Sequence, residues 1–157
     1  MRKVNFSHPA NAQYLKKFLA IKSSTDKFKL EEECDPATVP QVNFKLGMHE
    51  AVVDFFWNEI TRELPENCAW IVRGRAVLVR PSTGIIFGFK ATNVSFALRL
   101  PSSIRENALK EIGVEKMQLS NGSICDVGEI GEEWVLFFAK PSKELTQYCL
   151  AAYRYAE

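Results

Sequence analysis

The sequence is short of almost everything that marks a catalytic or metal-binding protein. It has two histidines in 157 residues, His8 and His49, and neither stands at a spacing that supplies a second ligand. Its four cysteines, Cys34, Cys68, Cys125 and Cys149, form no CxxC pair. Zinc-ribbon and thioredoxin-type motifs are therefore absent, and reduced packing thiols are expected. Pro81-Ser82-Thr83-Gly84 lacks the glycine and lysine spacing of a phosphate loop and leads into Ile85-Ile86-Phe87, a strand rather than a helix, so it reads as a hairpin turn. No apolar run approaches the roughly 18 residues of a membrane span, and MRKVNFSHPANAQ has no apolar signal core. The expectation is a cytoplasmic protein with no membrane contact, no metal and no cofactor.

A further absence is local. Between Asn67 and Arg105 there is no Asp and no Glu, yet the stretch carries Arg73, Arg75, Arg80, Lys90, Arg99 and Arg105. The rest of the chain balances it: residues 1–30 carry +6, 31–66 carry −7, 67–105 carry +6 and 106–157 carry −4, for a net +1. Charge sorted along a nearly neutral chain is a physical hint of a partner.

What is present is ordinary for one folded domain. The 46% hydrophobic content and eleven phenylalanines furnish a core without disulfides or metals. Pro9 followed by Tyr14, Leu15, Phe18 and Leu19 predicts a helix running to about Lys22. Residues 23–47 hold an acidic patch (Glu31, Glu32, Glu33, Asp35) and no clear period, and read as a loop or mobile arm, with Val42, Phe44 and Leu46 as one possible strand. Val53, Phe56, Trp57, Ile60 and Leu64 form one helical stripe over His49–Leu64, ended by Pro65. Strands follow at about Ala69–Arg73, Arg75–Arg80, Ile85–Lys90 and Val94–Leu100. A helix opens at Pro101-Ser102-Ser103 and stops at Gly113. Asn121-Gly122 joins Lys116–Leu119 to Ser123–Val127 in a hairpin. Trp134–Ala139 reads as a central strand buried on both sides, and a last helix carries Leu145, Tyr148, Cys149, Ala152 and Ala156 on one stripe. Adjacent strands joined by short turns imply antiparallel pairing, so the fold class is α+β, a single domain with five to seven antiparallel strands and helices mainly on one face.

Arginine is the residue for carboxylate and phosphate recognition because its planar fork bonds two oxygens at once. Arg73, Arg75, Arg80 and Arg99 are therefore the candidate ligand-binding residues, with Arg73 and Arg75 on one parity if the strand continues through Gly74. The competing reading is internal neutralisation by acids of the second helix or of the Glu31–Asp35 patch. Nucleic-acid binding would also need exposed aromatics, for which Trp70, Phe87 and Phe89 are candidates, but a net +1 and a pI near 7.6 fall short of a dedicated binder. Cys34 lies among acids, which raise a thiol pKa, so it is no nucleophile. The acidic loop Asp126–Glu133, with Asp126, Glu129, Glu132 and Glu133 around two glycines, misses the EF-hand spacing and reads as a solvated connector, with a divalent-ion or active-site loop as the lesser alternative.

The order of elements in residues 48–156, with "VSFALRLP", then "EEWVLFF", then "AAYRY", resembles the YjbR-like, double-wing family. That resemblance implies a small cytoplasmic module with Leu98, Trp134 and Tyr153 at pattern positions, and nucleic-acid binding suggested by shape; no site residue carries across. The function expected is a small binding or interaction protein that uses residues 67–105 for an anionic ligand, an acidic protein or, less favoured, nucleic acid. Two alternatives stand beside it. One is an enzyme or small-molecule binder with a pocket between the sheet and the 23–47 arm. The other is a self-associating protein, a homo-oligomer using Ile85–Phe89 or Trp134–Phe138 as an interface strand.

Overall fold

The computed structural model describes residues 2–18, 33–39, 42 and 50–157. Helix α1 spans Pro9–Phe18. It begins where its sequence dictates: His8 Nδ1 accepts the Ala10 N–H at 3.0 Å, and Pro9 occupies the position whose missing N–H costs nothing. The expected continuation to Lys22, most of the 23–47 arm and the alternation at Phe44 and Leu46 lie outside the described residues.

The chain is α+β. Strands β1 (Glu33–Cys34), β2 (Ala69–Val72), β3 (Arg75–Arg80), β4 (Ile85–Thr92), β5 (Ser95–Arg99), β6 (Gly113–Val114) and β9 (Trp134–Phe138) form one antiparallel sheet in the order β1-β2-β3-β4-β5-β9-β6. Strands β7 (Lys116–Gln118) and β8 (Ile124–Asp126) pair as a separate hairpin around Asn121-Gly122. The remaining helices are α2 (Glu50–Asp54), which continues as a π-helical turn over Phe55–Glu59, then α3 (Ser102–Glu111) and α4 (Lys143–Tyr155).

Both faces of the sheet are covered. The stripes Val53, Phe56, Trp57, Ile60 and Leu145, Cys149, Ala152, Ala156 share one core with Leu78, Phe96, Leu98 and Phe137. The opposite core joins Val4 and Tyr14 to Trp70, Val77, Phe89, Trp134 and Leu136, beneath α1 and the β7–β8 hairpin. Burying each such aliphatic or aromatic side chain stabilises the fold by roughly 1.5–3 kcal/mol.

Three local departures from simple alternation shape the sheet. Arg73 and Gly74 do not continue a strand. They take φ of 47° and 76° and close a two-residue hairpin loop in which Val72 pairs with Arg75. Positive φ at both loop residues matches the twist of the flanking strands, at a cost of about 1–2 kcal/mol for the non-glycine residue. Leu78 pairs with Gly88 but Val79 pairs with Ile86, so Phe87 is an extra residue in β4. This bulge sends Phe87 to one core and Phe89 to the other, where strict alternation along the strand would put both on one face. A second irregularity between Lys90 and Thr92 repeats the device. Beside the first bulge, Trp57 Nε1 donates to the Val77 carbonyl at 3.1 Å, so the π turn both fills the core and satisfies a strand acceptor.

Helix α4 is tied at both ends. Ser142 Oγ accepts the Leu145 N–H at 3.0 Å. At the far end, Arg80 Nη1 donates to the Tyr153 carbonyl at 3.1 Å and Thr83 Oγ1 donates to the Ala156 carbonyl at 2.7 Å. The last carbonyls of the helix are thus capped by the end of β3 and the turn after it.

Candidate functional site

The antiparallel register divides the arginines singled out in the sequence between the two ends of the sheet. Arg73 and Arg75 sit at the β2–β3 loop, with Lys90 near the same end of β4. Burial first, and then the charge of Arg75, lowers the Lys90 pKa. Arg80 lies at the opposite end of β3, where its guanidinium stacks on the Tyr153 ring at 4.4 Å while capping α4. Arg99 closes β5, also at that end. The four residues therefore do not form one face. Trp70, Phe87 and Phe89 are buried in the two cores and offer no stacking platform.

Around Arg99 the chain builds a cleft of about 580 Å³ lined by His8, Pro9, Ala10, Gln13, Arg99, Ile130, Gly131, Glu132, Glu133 and Trp134. Three separate segments make its walls. The first is the N-terminus of α1, clamped to the sheet by Asn11. That side chain is fully buried: Nδ2 donates to the carbonyls of Asn5 (2.8 Å) and Gly84 (2.9 Å), and Oδ1 accepts the Ile86 N–H (2.9 Å). Gly84 is required there, because its φ is +72° and a Cβ would stand 2.5 Å from the Asn5 nitrogen. The same helix start commits His8 Nδ1 to the cap of α1, and the His8 ring lines the cleft.

The second wall is the end of β5. Arg99 Nε lies 2.5 Å from Glu133 Oε2, and the Arg99 side chain is only 11% exposed. Its guanidinium stacks on the Tyr155 ring at 4.4 Å, and Tyr155 Oη donates to Glu133 Oε1 at 3.2 Å. Burial, followed by the Glu133 carboxylate, raises the Tyr155 phenol pKa, so this hydroxyl stays a donor. With Nε and one π face engaged, the Nη edge of Arg99 has no hydrogen-bond acceptor among the described residues.

The third wall is the acidic segment before β9. Asp126 caps a 3-10 turn over Val127–Glu129 by accepting the Gly128 N–H, and Lys17 of α1 meets Glu129 at 2.6 Å, which fixes this turn to the first wall. The Leu100 N–H donates to the Glu133 carbonyl at 2.8 Å, which sets Glu133 beside Arg99. The segment read as a connector thus contributes Glu132 and Glu133 to the cleft. Arg99 is a candidate from the sequence, and Glu132 and Glu133 stand in a loop given a site role only as the lesser alternative, while His8 and Gln13 are missed, because residues more than thirty positions apart converge here. The one local signal was His8-Pro9 at a helix start.

Two smaller grooves, of about 330 and 310 Å³, flank the start of α4. One is bounded by Phe55, Glu59, Arg62 and Thr146, the other by Ile112, Phe137, Phe138 and Leu145. Neither is the pocket expected against the 23–47 arm, most of which lies outside the described residues. Of that arm's acids, Glu33 is used internally: its Oε1 accepts from Lys3 N (2.9 Å), Val4 N (2.7 Å) and Trp70 Nε1 (3.1 Å). Asp35 caps the turn Pro36–Thr38.

Three of the thiols, Cys68, Cys125 and Cys149, are held away from the thiolate form. Burial, then Glu66, pushes Cys68 up to about 12, and burial raises Cys149. Burial and the nearby Asp126 and Glu129 raise Cys125. Among the described residues no three His, Cys, Asp or Glu side chains are grouped to hold a metal ion, and no helix is long and apolar enough to cross a membrane. Comparison with family models, curated proteins and solved structures finds no match. The likeness to the YjbR-like family therefore rests on the order of elements, with Leu98, Trp134 and Tyr153 all serving as buried packing residues.

Proposed function

We propose that this chain is a small-ligand binding protein whose ligand occupies the cleft between His8–Gln13, Arg99 and Ile130–Trp134. The observation that carries this reading is the Arg99 guanidinium, which is nearly buried, oriented by Glu133 and Tyr155, and has its Nη edge unused beside the cleft. A side chain so placed is preorganised, and binding through it needs little further ordering. The volume falls within the range of about 300–1,000 Å³ typical of small-molecule sites.

The same features favour a small molecule over a polyanion. The cleft carries one arginine against two glutamates, and Arg80, which was to share the load, is engaged with α4. Self-association through strand pairing has little to work with, since both edge strands are two residues long.

A thermal-shift screen with a library of small polar metabolites tests the reading. Compounds that raise the melting temperature of the wild type should lose their effect in Gln13→Trp, where an indole on the exposed face of α1 fills the cleft. The protein should also pass through a heparin column at about 0.15 M salt, where a phosphate-binding surface is still retained. Retention on heparin together with a screen that yields no cleft-dependent compound would replace this reading with the nucleic-acid one.

A further inference from the structure

Resting on that reading, we infer that the ligand is a small zwitterion of amino-acid type, with its carboxylate on the Nη edge of Arg99 and its ammonium on Glu132. The Nη amino groups are donors only, and their free edge has the two-pronged geometry that a carboxylate matches. Arg99 cannot serve a second negative group, because its Nε side already faces Glu133 and one ring face is covered by Tyr155.

On the opposing account, the cleft has two carboxylates, and only Glu133 has a cation beside it. Glu132 is exposed and makes no ion pair among the described residues. Arg99 and Glu133 neutralise one another, so the groups left unanswered are the Nη donors of Arg99 and the Glu132 carboxylate: a ligand with only a carboxylate would leave Glu132 without a partner, and one with only an ammonium would leave the Nη donors unused. A ligand with one charge of each sign leaves neither end opposed. Trp134 and Ile130 supply the apolar part of the lining, against which the ligand's side chain would lie, and the space admits roughly ten to twenty heavy atoms. The His8 ring and the Gln13 amide line the same cleft and add hydrogen-bonding groups to it.

The test uses three matched probes on the full chain, followed by two-dimensional NMR of the backbone amides: L-phenylalanine, 3-phenylpropionate, which lacks the ammonium, and phenethylamine, which lacks the carboxylate. L-phenylalanine should shift the amides of His8–Gln13, Arg99 and Ile130–Trp134, and each single-charge analogue should bind about tenfold or more weakly, the loss of one charge-assisted contact. Glu132→Gln, a change at an exposed site, should weaken L-phenylalanine about tenfold and should not weaken 3-phenylpropionate, which loses only a like charge. A single-charge probe that binds the cleft as well as L-phenylalanine, or a Glu132→Gln variant that binds it with wild-type affinity, overturns the zwitterion assignment while leaving the cleft as a binding site. If no probe of any charge class and no library compound shifts the cleft amides, the assignment and the binding reading fall together.

Discussion

Trp57 carries two loads that substitution can separate. Its indole is 7% exposed in the core between the π turn and the sheet, and its Nε1 supplies the Val77 carbonyl beside the β4 bulge. Trp57→Ala removes both and leaves a cavity, which costs about 3–5 kcal/mol. Trp57→Phe keeps most of the ring and strips only the donor, and the Val77 carbonyl keeps its ladder partner Trp70, so the loss is that of one net hydrogen bond, about 0.5–1.5 kcal/mol. For a urea slope of about 2 kcal/mol per molar, the alanine variant should unfold roughly 2 M earlier than wild type and the phenylalanine variant about 0.3–0.8 M earlier. Far-UV circular dichroism is the suitable probe, since Trp70 and Trp134 complicate fluorescence. An alanine variant with an unchanged midpoint would place Trp57 on the surface and undo the packing of α2 on the sheet. A phenylalanine variant equal to wild type would leave the packing intact and dismiss the hydrogen bond as a contributor.

Other consequences are as direct. Glu33→Ala should cost about 2–4 kcal/mol, because three donors lose one acceptor, and should speed amide exchange at Lys3 and Val4 before the rest of the sheet. Arg80→Met removes a cap and a stacked cation from α4 and should lower stability by about 1–2 kcal/mol, with amide protection lost first at the helix C-terminus. Stability should decline above about pH 9. There the unfolded chain releases the Cys68 proton, while the fold holds it up to about 12, so ν in the unfolded state is the smaller and stability falls with rising pH. Cys149 acts in the same sense, each thiol adding up to about 1.4 kcal/mol per pH unit, and Cys68→Ala should flatten that slope. Titration of the denatured protein without reductant should recover all four thiols; recovery of two would reveal a disulfide.

The parts of the fold that were legible are those where periodicity and local chemistry agree. The stripe of α4, the run Trp134–Phe138, the Pro81–Gly84 turn and the Asn121-Gly122 hairpin all appear where their residues place them. Strands β1 and β6 were invisible because two residues have no period. The break at Gly74 is legible, but Arg73 reads with the strand because arginine is not the residue that positive φ selects, and only a strand continuous through Gly74 would put Arg73 and Arg75 on one face. Bulges reverse alternation without a sequence signature, hence the divided fates of Phe87 and Phe89. The cleft was illegible for a different reason. The pairing of Arg99 with Glu133 depends on β5 and β9 lying side by side, and the clamp on His8 depends on Asn11 reaching the β3–β4 turn. Only the assembled sheet brings those residues together.

A crystallographic fragment screen is the most direct test of the cleft as the functional site. Small polar fragments soaked into crystals should collect between His8, Arg99 and Glu132, with an oxygen of the bound fragment on the Nη edge of Arg99. Fragments that settle instead beside Arg73 and Arg75, or in the groove at Phe138, while this cleft stays empty, would contradict the account.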